Sequence, residues 1–167
     1  MIIPILTVLL CVALVTGGGN ADSSVGAAES NAAAAVPTAT VSEVGKTKPQ
    51  GIQAPEGPVP EKLEVRDLVE GTGAEAKVGD EVTVHYVLLL YKNGKEVDSS
   101  WERKPFSFKL GSGSVTAGWE QGVGGMKVRG RRELTTPPNL AYGKKGFPPA
   151  IGPNETLVSV IDLLAVK

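Results

Sequence analysis

The stretch Val115-Thr-Ala-Gly-Trp-Glu-Gln-Gly-Val-Gly-Gly-Met126 constrains this chain more than any other. Trp119, Val123 and Met126 recur at i, i+4 and i+7, which gives a short helix one apolar face. Gly118, Gly122, Gly124 and Gly125 oppose it, since each glycine costs a helix up to about 1 kcal/mol against alanine. A helix this weak exists only where tertiary packing holds it, and its glycines let another backbone or a ligand come close. The stretch predicts a short helix laid across a sheet, with Trp119 as the floor of an apolar pocket. Taken alone, it reads more simply as a glycine-rich connector whose tryptophan fills a core.

The neighbouring segments supply the sheet. Lys62–Val69 predicts a strand, followed by turns at Glu70-Gly-Thr-Gly73 and Val78-Gly-Asp80. Glu81–Tyr91 alternates: Val82, Val84, Tyr86, Leu88 and Leu90 share one face, and Thr83, His85, Val87, Leu89 and Tyr91 the other. Lys92-Asn-Gly-Lys95 is a hairpin signal, from which Glu96–Ser99 returns. Phe106–Leu110 and Arg129–Thr136 predict further strands, the second stopped by Pro137-Pro138. A long Gly/Pro loop, 137–153, leads to a last strand, Thr156–Val166. A loop of that length in a compact domain is usually functional or mobile. One short helix among antiparallel strands gives an α+β domain with the helix on one sheet face.

All of this lies in the C-terminal part, where every Phe, Tyr and Trp falls between Tyr86 and Phe147. The 167 residues suit one domain plus appendages. Ile2–Val15 is an apolar run of signal-peptide length, shorter than the roughly 20 residues of a membrane span. No Lys or Arg precedes it, and the first basic residue is Lys46. The expectation is an export signal over 1–17, with a buried strand or helix as the alternative. Leu14-Val-Thr-Gly17 resembles the residues before a bacterial lipid-attachment cysteine, but Gly18 follows it and Cys11 lies inside the apolar run. Cleavage near residues 17–22 would leave no cysteine, hence no disulfide and no thiol chemistry. Residues 18–60, rich in Ala, Gly, Ser, Thr, Val and Pro without aromatics or period, read as a disordered spacer ending at Pro55, Pro58 and Pro60. The domain proper is expected over 61–167. A formal net charge of −1 argues against binding nucleic acid or anionic membrane by bulk charge.

The motifs Val84-His-Tyr86, Val97-Asp-Ser-Ser100, Pro105-Phe-Ser-Phe108, Val115-Thr-Ala-Gly-Trp-Glu120, Pro137-Pro-Asn-Leu-Ala-Tyr-Gly143 and Asn154-Glu-Thr-Leu157 occur in one order. Together they closely resemble the FKBP-type peptidyl-prolyl isomerases from about Glu61 to Lys167. The resemblance implies a curved antiparallel sheet wrapped around one short helix. It also implies catalysis of X–Pro rotation without a cofactor. The export signal, the spacer and Asp98-Ser-Ser-Trp101 resemble secreted or envelope members from Gram-positive bacteria, actinobacteria in style. Carried over by resemblance, Trp119 is the floor for the substrate proline, and Tyr86, Phe106, Phe108, Val115 and Ile151 are its walls. Tyr142 would offer its hydroxyl to a substrate carbonyl, and the backbone N–H of Thr116 would do likewise. Asp98 would sit at the rim in a polar role, and Phe147 would occupy a loop position where other members often carry His. Val97 stands where the family usually has Phe, and Ser159 where it often has a pocket Phe. Both changes imply a wider, wetter pocket that binds macrolide inhibitors more weakly and turns over more slowly.

Other residues invite plainer readings. His85, the only histidine, faces away from Tyr86, which points to a structural or solvent role. Lys127, Arg129, Arg131 and Arg132 form a basic cluster followed by Glu133, read as a solvated strand. Asn154-Glu-Thr156 matches a glycosylation acceptor, an isolated short pattern of little weight. No spacing of His, Cys or acids suggests a metal site. Two functions remain: an isomerase acting on proline-containing polypeptides during folding of exported proteins, and a non-catalytic module or holding chaperone that grips proline segments. Either is expected as a monomer outside the cytoplasm, touching membrane only through an uncleaved N-terminal segment.

Overall fold

The structure, a computed structural model, describes residues 40–167. The expected export signal and the spacer up to residue 39 lie outside the described residues. The strand on which the others assemble is the alternating segment, β2, Glu81–Leu90; the remaining strands are β1 (Glu64–Val69), β3 (Glu96–Ser99), β4 (Phe106–Lys109), β5 (Arg131–Thr136) and β6 (Leu157–Val166). The sheet order is β1-β5-β6-β2-β3, with β4 sharing the outer edge of β2, and every pairing is antiparallel. Boundaries differ from the sequence reading by a residue or two. Arg129, for example, has φ 69, which removes it from β5.

The alternation of β2 does what its period requires. Val82, Val84 and Tyr86, with Leu88 and Leu90, pack on the face that carries the helix and the long loop. Val87, Leu89 and Tyr91 pack on the opposite face. The hairpin beyond it closes through Asn93-Gly94: Gly94 sits at φ 64, and the Lys95 N–H donates to Asn93 Oδ1 at 3.1 Å. Glycine adopts that left-handed conformation without steric cost.

The helix α1, Ala117–Val123, crosses the inner face as a seven-residue element. Two of its glycines explain why tertiary packing can hold it. A Cβ on Gly118 would lie 2.3 Å from Thr136 Cγ2, and one on Gly122 would lie 2.4 Å from Leu134 Cδ1. The backbone of α1 therefore rests on β5 at a distance no other residue permits. That contact buries Val123, Met126 and Leu134 almost completely, each worth roughly 1.5–3 kcal/mol, which outweighs the poor helix propensity.

The spacer reading of 18–60 is corrected for nearly half its length. Residues 40–58 form a strap across the outer face of the sheet. Val44 is buried, and Gly45 crosses so close to β6 that a Cβ would meet Leu164 Cδ2 at 2.4 Å. Ile52 and Ala54 cover Val87, Leu89, Tyr91 and Val158. The Tyr91 hydroxyl donates to the Pro58 carbonyl at 3.2 Å, and Lys48 pairs with Glu96 at 2.7 Å. The strap's apolar residues follow no period because the sheet, not a local helix or strand, dictates where they land.

Beneath the strap lies a buried ion pair. Arg131 belongs to no solvated strand: it is buried and grips Asp162, also buried, through Nε–Oδ1 at 2.6 Å and Nη2–Oδ2 at 2.7 Å. The strap completes this pair, since the Gly45 N–H donates to Asp162 Oδ2 at 2.7 Å and Arg131 Nη2 donates to the Thr47 carbonyl at 3.3 Å. Arg132 faces the other way, forking onto Asp67 and donating to the Gly122 and Gly124 carbonyls. A cation there satisfies orphan carbonyls at the C-terminal end of α1.

Candidate functional site

A cleft of about 630 Å³, counted out to its open mouth, lies between the start of α1, the inner face of β2 and β6, the edge strand β3 and the loop after β5. Trp119 is buried within it, and three aromatic rings surround the indole. Tyr86 meets it edge-on at 5.0 Å and 78° and Phe106 edge-on at 6.4 Å and 69°, while Phe108 lies tilted at 6.1 Å and 48°. Edge-to-face pairing sets the negative ring face against positive ring edges, so these rings hold each other's angles. The indole N–H donates to Ser159 Oγ at 3.1 Å. Ser159, where the resemblance led one to expect an aromatic wall, supplies the acceptor that a buried indole N–H needs.

The polar rim is built around Asp98. The Tyr86 hydroxyl donates to Asp98 Oδ2 at 2.5 Å, and the Ser99 N–H donates to Oδ1 at 2.9 Å. Arg103 Nη2 also donates to Asp98 Oδ1, and to the Ser99 carbonyl at 2.7 Å. Burial first, and then the Asp98 hydrogen bond and charge, push the Tyr86 phenol up to about 12. Burial, followed by the Asp98 charge, also raises Tyr142. Both phenols therefore stay protonated donors at neutral pH. Among the described residues the Tyr142 hydroxyl and the Thr116 N–H make no hydrogen bond, so both remain able to take an incoming carbonyl.

The cleft brings together Tyr86, Asp98, Phe106, Val115, Thr116, Trp119 and Tyr142 of the residues expected from sequence. Four others stand apart. Phe108 is buried one layer down, stacked under Phe106 at 5.6 Å. Ile151 is buried among Leu88, Leu90 and Leu157, and supports the loop rather than lining the cleft. Val97 is the extra residue of a bulge, since Leu88 pairs with Asp98 and Leu89 with Glu96; it packs behind the wall. Phe147 is 60% exposed and packs against Tyr142 at 5.4 Å with the rings tilted by 37°, outside the cleft. Leu88, Ser114, Thr136 and Leu157 line the cleft and had not been singled out. The alternation of β2 could have found Leu88, which shares the face of Tyr86. Thr136 needed the fold: its buried hydroxyl, without a partner among the described residues, faces α1 only because Gly118 lies against it.

His85 takes a structural place, its ring stacked on Trp101 at 4.3 Å and 16° on the outer face. Burial lowers its pKa, against a smaller opposing pull from Asp162. Among the described residues, no group of three or more His, Cys, Asp or Glu could hold a metal ion.

The chain is similar to known proteins in sequence and in fold. The sequence profile described as FKBP-type peptidyl-prolyl cis-trans isomerase matches residues 73–164. An FK506-binding protein of Streptomyces anulatus is 49% identical over 121 residues, covering 71% of this chain and 97% of its own. A probable FK506-binding protein of Corynebacterium glutamicum is 49% identical over 119 residues, covering 71% and 98%. The crystal structure of AtFKBP13 superimposes with a TM-score of 0.59 at 38% identity, covering 65% of this chain and 96% of that one.

Proposed function

The chain belongs to the FKBP-type peptidyl-prolyl cis-trans isomerases, and from that membership we propose how its cleft works and on what. Rotation about an X–Pro bond faces a barrier near 18–20 kcal/mol and takes tens to hundreds of seconds unaided. The twisted amide of the transition state has lost resonance and much of its charge separation. An apolar cleft that excludes water favours it over the planar ground state, which is the differential binding that catalysis needs. The proline ring rests on Trp119, between Tyr86, Phe106 and Val115. The Tyr142 hydroxyl and the Thr116 N–H hold the flanking carbonyls, while Asp98 and Arg103 fix Tyr86. No covalent step or proton transfer is required.

The single observation behind this assignment is the exposed edge of a rigid aromatic cluster around Trp119 beside two hydrogen-bond donors that are unpaired among the described residues. The substrates are proline-containing segments of exported polypeptides, whose folding slow X–Pro steps limit. The apolar run at the N-terminus supports export, by secretion or by retention at the envelope, with the domain acting as a monomer. The relatives' names indicate FK506-type macrolides as ligands, and Ser159 in place of an aromatic wall favours weaker affinity here. The same substitution supports a second reading, a module that grips proline segments with little turnover.

The test follows isomerisation of a Leu-Pro or Phe-Pro peptide by the full chain beside Trp119→Ala. Acceleration by the wild type that falls by about a hundredfold in the variant is the expected result. A folded wild type that leaves every peptide at its spontaneous rate would sink the catalytic reading and leave the binding module.

A further inference from the structure

Strand β2 lacks an edge partner at the residues that matter most. β4 pairs with it as far as Val84, and β3 pairs with it from Val87 onward. Between them the chain leaves the sheet at 100–105, so His85 and Tyr86 face a gap in the ladder. A backbone N–H and C=O left unpaired at such a buried site would each cost on the order of 1–3 kcal/mol.

Among the described residues Ser100 alone fills this gap. Its backbone N–H donates to the Tyr86 carbonyl at 3.1 Å, and its Oγ accepts the Tyr86 N–H at 2.9 Å. Its side chain thus stands in for the carbonyl of the missing strand residue. Ser100 is only 2% exposed, so water has little access to compete for these bonds. Its hydroxyl lies 2.9 Å from His85 Nδ1. With one lone pair taken by the Tyr86 N–H, the arrangement that leaves neither group idle has the hydroxyl proton directed to Nδ1 and the imidazole proton on Nε2. The stack of His85 on Trp101 holds that acceptor in place.

What Ser100 holds is the backbone beneath the Tyr86–Asp98 bond. Asp98 lies two residues before it on β3 and accepts from Tyr86, whose ring meets Trp119 edge-on. Resting on the isomerase reading, we propose that Ser100 is a positioning residue for the reaction. It replaces a missing strand so that the Tyr86 and Asp98 side chains keep their geometry against the substrate, and its hydroxyl is itself oriented from the far face by His85 and Trp101. A misplacement of about 1 Å at such a site can cost up to a hundredfold in rate.

The full chain carrying Ser100→Ala or Ser100→Thr would be assayed with an X–Pro peptide, resolving kcat from KM, beside thermal melting and amide exchange at Tyr86. We expect Ser100→Ala to lower kcat about tenfold with KM within about twofold, and Ser100→Thr to recover most of the loss. Wild-type kcat in Ser100→Ala despite faster exchange at Tyr86 would overturn the proposal and leave Ser100 a purely structural contact. Equal losses in two folded variants would overturn the role of the hydroxyl. If Ser100→Ala fails to fold, His85→Phe carries the test: it keeps the stack but removes the acceptor, and about a threefold fall in kcat is expected, no change being fatal. A wild type that accelerates nothing would overturn the isomerase reading first, and is told apart from these outcomes by the control lane alone.

Discussion

On the inner face of β2, Tyr86 and Leu88 line an open cleft; on its outer face their neighbours Val87 and Leu89 are covered by Ile52 and Ala54 of the chain's own strap. The inner face is built from aromatic rings that fix one another's orientation and leave a concavity. A concavity forfeits the dispersion contacts that filling it would bring. The outer face does the reverse. Its charges, Arg131 and Asp162, are buried and paired with each other, and the strap supplies a further donor and acceptor. One strand thus carries an open pocket and the means of tolerating it on alternate residues.

Breaking the outer face is expected to damage folding and spare chemistry. Asp162→Ala leaves the Arg131 guanidinium buried without its carboxylate and should destabilise the domain by about 3–5 kcal/mol. Denaturant melts would report the loss. Activity per folded molecule, measured well below the melting temperature, should stay close to wild type, and a parallel collapse of both would erase the distinction between the faces.

A milder cut removes the cover instead of the pair. A chain beginning at residue 61 loses burial of Val44 and the shield of Ile52 and Ala54, but also sheds the entropy of ordering the strap. A net loss of about 1–3 kcal/mol against a chain beginning at residue 40 is expected, with kcat/KM unchanged within about twofold. Equal stability of the two chains would show that the strap merely lies on the sheet.

How far these features were legible in sequence follows from what patterns encode. The alternation of Glu81–Tyr91 gave both faces of β2, and Asn93-Gly94 gave its hairpin, because period and turn chemistry are local. Trp119 with Gly118 and Gly122 gave the packed helix, because glycine on a helix is costly unless something approaches it. Arg131 was misread because its partner lies 31 residues away on another strand, and nothing in a run of cations says which one turns inward. Val97, Phe108, Phe147 and Ile151 carried roles by resemblance alone. Bulge, layer and loop conformation then decided which of them reached the cleft.

The inner face offers the smallest test. The unfolded chain releases a phenol proton near 10.0, whereas Tyr86 in the native state holds its proton up to about 12. The raised native value means that the associated stability is complete below pH 10 and is lost as pH rises through 12. Tyr86→Phe should therefore show a shallower decline of stability across that window, Tyr142 supplying what slope remains. An unchanged slope would mean that Asp98 and burial do not hold the Tyr86 proton as described.

The two tryptophans fall on opposite sides of this divide, Trp119 in the cleft and Trp101 against His85 among the outer-face residues beside the strap. Each indole is thus a native fluorophore reporting on one face. Ligand entry should quench or shift the emission of Trp119 while leaving that of Trp101 alone, and lifting the strap should do the opposite. With one Trp→Phe replacement at a time, the emission spectrum becomes a two-channel readout that separates occupancy from unfastening without any added dye.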